Sequence, residues 1–327
     1  MEKLTERFLV TGAAGCIGAW AIRLLLDEGV DVVASDVSED LRRFRLISHP
    51  RNDDVTFVPL DVTATAEVAR VVQENDITHV IHLAGLQVPF CAANPPLGAM
   101  VNVVGNVNVF DAIRVAQRRI GLAYASSAAV FGAGSAYTGG VVGDVSPLLP
   151  DTHYGVYKVA NEGTARVYSL NNGIGSIGLR PFIVYGPGRD QGMTSDATKA
   201  ILAAVLGEFF NFKFGGNMLL TYAPDCARAF IESARAAAGS GDALVLNVPG
   251  RRVGVAQLVA MIEELIPESA GLLSWETKPI SAPALLSAPA LGDVIDFVNT
   301  SLEDGVRATI EHFRRAVDDG ILSSTPS

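Results

Sequence analysis

The chain has 327 residues, 49% hydrophobic and 18% charged, which is enough to bury a large core and typical of a soluble globular protein. A net charge of -10 leaves no basic stripe to neutralise phosphates, which argues against a nucleic-acid partner, and no uncharged apolar run is long enough to span a bilayer. Cys16, Cys91 and Cys226 are odd in number and far apart, so they read as small buried hydrophobes in a reducing compartment, with neither a disulfide framework nor a metal site expected. The first seven residues are too charged and too short for a signal peptide, and a cytoplasmic location is expected.

Residues 8–11 form a short apolar run that ends in Gly12-Ala13-Ala14-Gly15-Cys16-Ile17-Gly18, and 19–27 carry helical spacing of apolar residues. Strand, glycine turn and helix N-terminus together make an anion site. The glycines let the backbone approach a pyrophosphate, and the helix dipole favours its charge. The next strand, 30–35, ends in Asp36, about 20 residues beyond the glycines, where a carboxylate either bonds both ribose hydroxyls or caps the following turn. A third strand over 55–60 leads to Asp61-Val62. That pair can sit by an adenine while Asp61 caps the helix expected over 64–74.

Residues 78–85 read as a buried parallel strand with glycine at its carboxyl end, the edge where doubly wound sheets bind ligands. His79 and His82 differ by three along it and point to opposite faces, which suits structural histidines better than a metal pair. A loop is expected over 89–96 and a helix over 102–117, with Asn102 near its start. Residues 122–127 form the next strand and end in Ser126-Ser127, where a hydroxyl can donate to a substrate oxygen.

A glycine-rich segment over 132–143 leads through Pro147 and Pro150 to a helix carrying Tyr154-Gly155-Val156-Tyr157-Lys158. A tyrosine and a lysine four apart lie one above the other on a helix face. A phenol of pKa about 10 is a poor base near neutrality, and a neighbouring ammonium favours its phenolate. A strand over 175–180 precedes Pro181-Phe182-Ile183-Val184-Tyr185-Gly186-Pro187-Gly188.

Alternating strands and helices predict a right-handed α/β arrangement to about residue 188. The expectation is a Rossmann-type doubly wound parallel sheet over 1–188 and a smaller substrate-binding lobe over 189–327, with some segments returning to the main domain. In that second part a polar loop (189–196), a helix (197–206), a strand-like stretch turning at Gly215-Gly216 (211–222), a helix (226–238), a strand (244–248) and a helix (255–266) are expected. Residues 272–290, rich in Pro, Ala and Ser, read as an irregular connection, and a last helix opens with Ser301 as N-cap.

Taken in order, Thr11 to Gly18, Asp61-Val62, His82-Leu83-Ala84-Gly85, Asn102, Ser126 to Gly132, Tyr154 to Lys158 and Arg180 to Pro187 resemble the extended short-chain dehydrogenase/reductase superfamily. The branch is that called NAD-dependent epimerase/dehydratase, and the resemblance covers nearly the whole chain. It implies NAD as cofactor, a small-molecule substrate and a homodimer. By the same resemblance Gly12, Gly15 and Gly18, with Cys16 and Ile17, hold the pyrophosphate, Asp36 the adenosine ribose, and Asp61 and Val62 the adenine. Leu83, Ala84, Gly85, Asn102, Pro181 and Ile183 complete the cofactor side. Ser127 positions the substrate oxygen, Tyr154 exchanges the proton, and Lys158 binds the nicotinamide ribose while depressing the tyrosine pKa. Ser127 keeps the family's spacing to Val130 and Gly132 where Ser126 does not, and Tyr157 has Asn161 rather than a lysine four residues on. Gln87, Ala128, Thr194, Ser195 and Arg189 are expected on the substrate side, Arg189 either meeting a carboxylate or facing solvent.

The departures from the family carry information too. Members that act on nucleotide sugars usually have an asparagine where this chain has Ile183, and an Arg-Asp pair where it has Leu219-Leu220-Thr221-Tyr222. Dehydratases place Asp-Glu directly after the active-site hydroxyl, where Ala128-Ala129 stand. The expectation is therefore a dehydrogenase that oxidises a secondary hydroxyl of a small sugar, sugar acid or polyol. A sugar or nucleotide-sugar epimerase with a tightly held cofactor is the alternative. A non-catalytic nucleotide-binding regulator is the different-class reading, and the presence of both Tyr154 and Lys158 argues against it.

Overall fold

The computed structural model describes residues 6–47, 55–280, 283 and 285–322. In chain order its first half contains β1 (Arg7–Thr11), α1 (Cys16–Asp27), β2 (Asp31–Asp36), α2 (Arg42–Ile47), β3 (Thr56–Pro59), α3 (Thr65–Glu74), β4 (His79–His82), α4 (Val88–Ala93) and α5 (Pro95–Ala99). A wider helical turn, Met100–Val104, runs into α6 (Gly105–Ala116), followed by β5 (Gly121–Ala125), β6 (Val141–Val142) and α7 (His153–Asn172). The second half contains β7 (Ser176–Arg180), β8 (Ile183–Tyr185), α8 (Asp196–Leu206), β9 (Phe210–Phe212), β10 (Asn217–Tyr222), α9 (Ala223–Ala237), β11 (Ala243–Asn247) and β12 (Arg251–Gly254). It ends with α10 (Val255–Leu265), β13 (Leu273–Trp275), β14 (Leu285–Leu286), α11 (Pro289–Val294) and α12 (Leu302–Asp318).

Seven strands pair in the order β11-β7-β5-β4-β1-β2-β3, every pair parallel. Strands covered on both faces read as unbroken apolar runs, and Phe8, Leu9 and Val10 of β1 are fully buried. Ile22 and Leu25 of α1 join Phe230 and Ile231 of α9 on one face. Val68 and Val71 of α3 join Phe110 and Ile113 of α6 on the other. This is the Rossmann-type layering that the alternation predicts. Strand order reverses at β1, whose neighbours are β2 and β4, so the loops leaving β1 and β4 diverge and open a crevice at their carboxyl ends.

A second core lies between β8, β10 and β12, which form a three-stranded sheet, and α8, α10 and α12. Ile201, Phe212, Leu258 and Phe313 fill it. Strand β8 leaves the main sheet after Pro181 and pairs with β10, while β11 returns from the later part of the chain to the edge of the main sheet.

Two local expectations need correction. The 89–96 loop is two short helices, because Pro89 and Pro95 stand in first turns, where a missing N–H costs nothing, and Asn94 accepts the Leu97 N–H at 3.2 Å. The irregular 272–290 stretch contains β13, β14 and the start of α11, since β13 and β14 find partners in the remote β9 and β6. The strand-like stretch over 211–222 is β9 and β10 on either side of Gly215-Gly216, each pairing in a different sheet.

Candidate active site

The crevice is a cleft of about 720 Å³ at the carboxyl ends of the main strands. At one end lies the glycine loop. Gly15 precedes α1 without a side-chain cap, so first-turn N–H groups remain for a ligand. Gly12 has φ +73°, and a Cβ there would stand 2.7 Å from the Ala84 nitrogen; one on Gly18 would stand 2.3 Å from the Gly12 carbonyl oxygen. The loop thus packs backbone to backbone against β4 and α1, leaving a cradle only glycine permits. Gly15, Cys16 and Ile17 line it with them.

Asp36, at the tip of β2, faces the same space. Its carboxylate accepts the Ala14 N–H at 3.1 Å and its neighbour Val37's N–H at 2.8 Å. Asp61 lines the cleft with Val62 and also accepts the Thr63 N–H at 2.9 Å, so it caps the entry to α3 as well. Arg43 folds back onto the glycine loop: Nη1 donates to the Ala14 carbonyl at 2.9 Å, and the guanidinium pairs with Asp190 at 2.6 Å. Arg42 turns outward to Asp40 at 2.7 Å. Leu83, Ala84, Gly85, Pro181 and Ile183 also line the cleft.

Asn102 does not line it. The residue is 1% exposed, and its amide donates to the carbonyls of Leu86 at 3.1 Å and Gly98 at 2.9 Å. It stiffens the wall from behind, its Oδ1 2.7 Å from where a Gly85 Cβ would sit.

Ser127, Tyr154 and Lys158 come together in the middle of the cleft. Thr152 caps α7 by accepting the Gly155 N–H at 3.1 Å. A Cβ on Gly155 would stand 2.4 Å from the Ala129 carbonyl oxygen, so glycine there lets the first turn of α7 press against the turn after β5. That contact places the Tyr154 phenol beside the Ser127 hydroxyl, and both line the cleft. Lys158 Nζ donates to the Ala125 carbonyl at 2.7 Å and lies 5.4 Å from the centroid of the Tyr154 ring.

Burial dominates the electrostatics. It pushes the Tyr154 phenol above its usual value, against the Ser127 hydrogen bond and the Arg189 charge, which pull it down. The depressed phenol expected beside Lys158 is therefore not produced by the surrounding side chains, because desolvation of the phenolate outweighs them. Burial also drives the Lys158 ammonium down to about 8, with Cys91 and Glu162 opposing.

Glu162, one turn beyond Lys158, was missing from the sequence expectations. Its carboxylate accepts the Ser126 hydroxyl at 2.5 Å and two Arg180 N–H groups, each at 2.8 Å. All three residues are buried, and the Arg180 guanidinium lies 5.0 Å from the Phe131 ring centroid. The network ties the end of β5 to α7 and β7, and thereby fixes where Ser127 and Lys158 stand. Spacing of four between Lys158 and Glu162 was the available signal.

Of the residues expected on the substrate side, Gln87, Ala128, Arg189 and Thr194 line the cleft. Ser195 does not. It is fully buried at the start of α8, with its hydroxyl donated to the Gly192 carbonyl at 2.8 Å. Leu219, Leu220 and Thr221 are buried in β10, so this stretch offers apolar packing where an Arg-Asp pair would offer charge. His79 stacks on Phe8 at 4.6 Å, and His82 shares a hydrogen bond with the Thr11 hydroxyl at 2.7 Å. Each histidine is thus satisfied separately. Among the described residues no helix is long and apolar enough to cross a membrane.

Comparison with known proteins agrees with this geometry. Over 94% of this chain and 98% of the other, it is 28% identical to a UDP-glucose 4-epimerase of Mycolicibacterium smegmatis. It is 29% identical to UDP-glucuronate 4-epimerase 3 of Arabidopsis thaliana over 76% of this chain and 58% of that protein. The solved structure of MoeE5 in complex with UDP-glucose and NAD superposes with a TM-score of 0.77, at 26% identity, over 95% of this chain and 99% of its own. The first two are named epimerases, whereas Ile183 and the apolar β10 lead to the expectation of a dehydrogenase. The sequence profile of one family, described as NAD dependent epimerase/dehydratase, matches residues 8–248, and on that match the chain belongs to the NAD-dependent epimerase/dehydratase family, enzymes that use NAD.

Proposed function

We propose that this protein is an NAD-dependent epimerase that inverts a secondary hydroxyl of a sugar substrate, of the nucleotide-sugar class named for its relatives. The observation that carries the reading is that Ser127, Tyr154 and Lys158 line one cleft with the glycine cradle. Gly12, Gly15 and Gly18 with the α1 N-terminus suit a pyrophosphate, and Asp36 suits the adenosine ribose, its negative charge disfavouring a 2′-phosphate. When bound, NAD supplies an acceptor for hydride from the carbinol carbon and returns it to the carbonyl.

The chain's own residues then do the following. Ser127 donates to the reacting oxygen and holds it against Tyr154. The Tyr154 phenolate takes the hydroxyl proton at its Oη and gives it back when the carbonyl is reduced. Burial raises the phenol, so the proton-accepting form needs a cation close by, and Lys158 is the nearest on its own helix. Glu162 and Arg180 hold the two strand ends that carry these groups.

Incubating the protein with UDP-glucose, UDP-galactose or UDP-glucuronate and following products by NMR tests the reading. Interconversion at one carbon without net NADH supports it. A second reading, a dehydrogenase of small sugars or sugar acids, draws on Ile183 and Leu219-Leu220, which supply no polar anchor for a nucleotide while the sugar turns over. Stoichiometric NADH from a free sugar acid, with no epimer formed, would hand the case to it.

We also propose a homodimer. Val156, Ala160, Gly163, Val167 and Leu170 make an exposed apolar stripe at helical spacing along α7, with Leu170 68% exposed. Val167→Asp is expected to halve the mass measured by light scattering.

A further inference from the structure

Three residues of α7 that stand four apart reach three consecutive residues, Ala125 to Ser127, at the end of β5. Lys158 Nζ donates to the Ala125 carbonyl at 2.7 Å, Glu162 accepts the Ser126 hydroxyl at 2.5 Å, and Tyr154 lies beside Ser127. Spacing of four keeps the three α7 side chains on one face, so a single rigid helix addresses each of these positions. The Glu162 contact belongs to a buried ion pair. Its carboxylate accepts Nε and Nη2 of Arg180, each at 2.8 Å, and the two side chains are 8% and 4% exposed. Arg180 Nη1 donates to the Asp144 carbonyl at 2.8 Å, and the Asp144 carboxylate accepts the Asn247 N–H at 2.6 Å. The network thus joins α7 to β7, to the segment leading into α7 and to β11.

Desolvating two charges costs about as much as their attraction returns, and apolar replacements of similar volume are often neutral or better. Stability is therefore a weak reason for an ion pair at this place, and position is a stronger one. Ser126 and Ser127 are adjacent, so holding the first hydroxyl on Glu162 leaves the second to line the cleft. Lys158 is fixed by Ala125 at its Nζ and has the Glu162 anion one turn beyond it on the helix. Misplacing a reacting group by about 1 Å costs on the order of 10²-fold in rate.

We propose that Ser126, Glu162 and Arg180 are positioning residues for the proton step, setting the turnover rate through Ser127 and Lys158 without touching substrate. This rests on Tyr154 as the proton-exchanging group, and it holds for an epimerase and a dehydrogenase alike.

The test compares Ser126→Ala alone with a triple variant, Ser126→Ala, Glu162→Met and Arg180→Met, which replaces the whole network by apolar side chains. With whichever UDP-sugar the wild type epimerises, kcat should fall about 10-fold in Ser126→Ala and about 10²-fold in the triple variant, with KM and NAD affinity unchanged. Wild-type kcat in either folded variant overturns the proposal. So does a loss carried entirely by KM or by NAD affinity, which would make the network part of a binding wall. Should the triple variant not fold, Ser126→Ala decides alone. A second readout needs no substrate. The folded protein releases the Lys158 proton at about 8 and the unfolded chain at 10.5, so stability rises between the two. Tyr154, Cys91, His82 and Glu162 stand around Lys158, and of these only Glu162 changes in the triple variant. Losing its negative charge lets Lys158 release its proton earlier, so in calorimetry of the cofactor-free protein the rise should begin below pH 8. An unchanged onset overturns the action through Lys158 and the proposal with it. If the wild type epimerises no UDP-sugar while the onset still shifts, the epimerase reading fails and the positioning assignment survives.

Discussion

Replacing Lys158 by methionine should abolish turnover yet make the protein slightly more stable at neutral pH. Lys158 is 4% exposed, and burial drives its pKa from 10.5 to about 8. At about 1.4 kcal/mol per tenfold change in proton affinity, keeping the ammonium charged in the folded state at pH 7 costs about 3 kcal/mol. Methionine removes that cost and fills the space, but leaves the Ala125 carbonyl without its donor, a loss of about 1–3 kcal/mol. The net gain at pH 7 is about 1 kcal/mol, or roughly 1–2 °C in melting temperature for a chain of this size. The pH dependence has a definite sign. Between about 8 and 10.5 the unfolded chain holds the lysine proton and the folded protein does not, so wild-type stability rises with pH across that window. The variant gains nothing there, so by pH 10.5 the order reverses and the variant is less stable by about 2 kcal/mol. Scanning calorimetry of both proteins, stripped of cofactor, from pH 7 to 10.5 at constant ionic strength measures the crossing. A melting-temperature difference that stays flat with pH would refute a buried, destabilised ammonium at this position.

The other predictions are simpler to state. Tyr154→Phe should keep NAD affinity, measured by titration, and lose about 10²–10⁴-fold in kcat, because only the proton-carrying oxygen is removed. Asp36→Ala should narrow the preference for NAD over NADP, read from paired titrations; tighter binding of NADP by the wild type would overturn the ribose assignment. Gly18→Ala drives a Cβ to 2.3 Å from the Gly12 carbonyl, so it should destabilise the fold by about 1–3 kcal/mol in a thermal melt and weaken NAD binding with it.

Local chemistry made much of this molecule legible. The glycine loop, Asp36 and the Tyr154–Lys158 spacing are each carried by a short stretch with its own periodicity, and the structure gathers them around one cleft. What could not be read depends on partners far apart in the chain. Residues 285–286 form a strand only because residues 141–142 lie beside them. Ser126 and Ser127 are adjacent and alike in sequence, yet one hydroxyl is buried on Glu162 and the other faces Tyr154, a division set by the packing of α7. Prolines 89 and 95 looked like breaks because their missing N–H matters inside a helix and not at its start. Ser195 looked available because its loop is polar, whereas Gly192 claims its hydroxyl. Ile183 and the apolar β10 speak for a dehydrogenase because an anchor's absence is local, whereas the near whole-chain similarity to a protein named UDP-glucose 4-epimerase is spread over positions that no single motif carries.

Arg189 and Asp190 are neighbours in sequence and face opposite duties. Arg189 lines the cleft, while Asp190 is clasped by Arg43, whose other N–H holds the carbonyl of Ala14 in the glycine loop. The loop carrying Arg189, proposed for the substrate side, is thus fastened to the glycine loop proposed for the cofactor. Ordering either one lowers the entropy still to be lost by the other, so each ligand should tighten its partner's hold by the same factor, as linkage requires. On the epimerase reading proposed above, in which the cofactor must stay through both halves of a reversible oxidation, the arrival of substrate would itself slow the cofactor's escape.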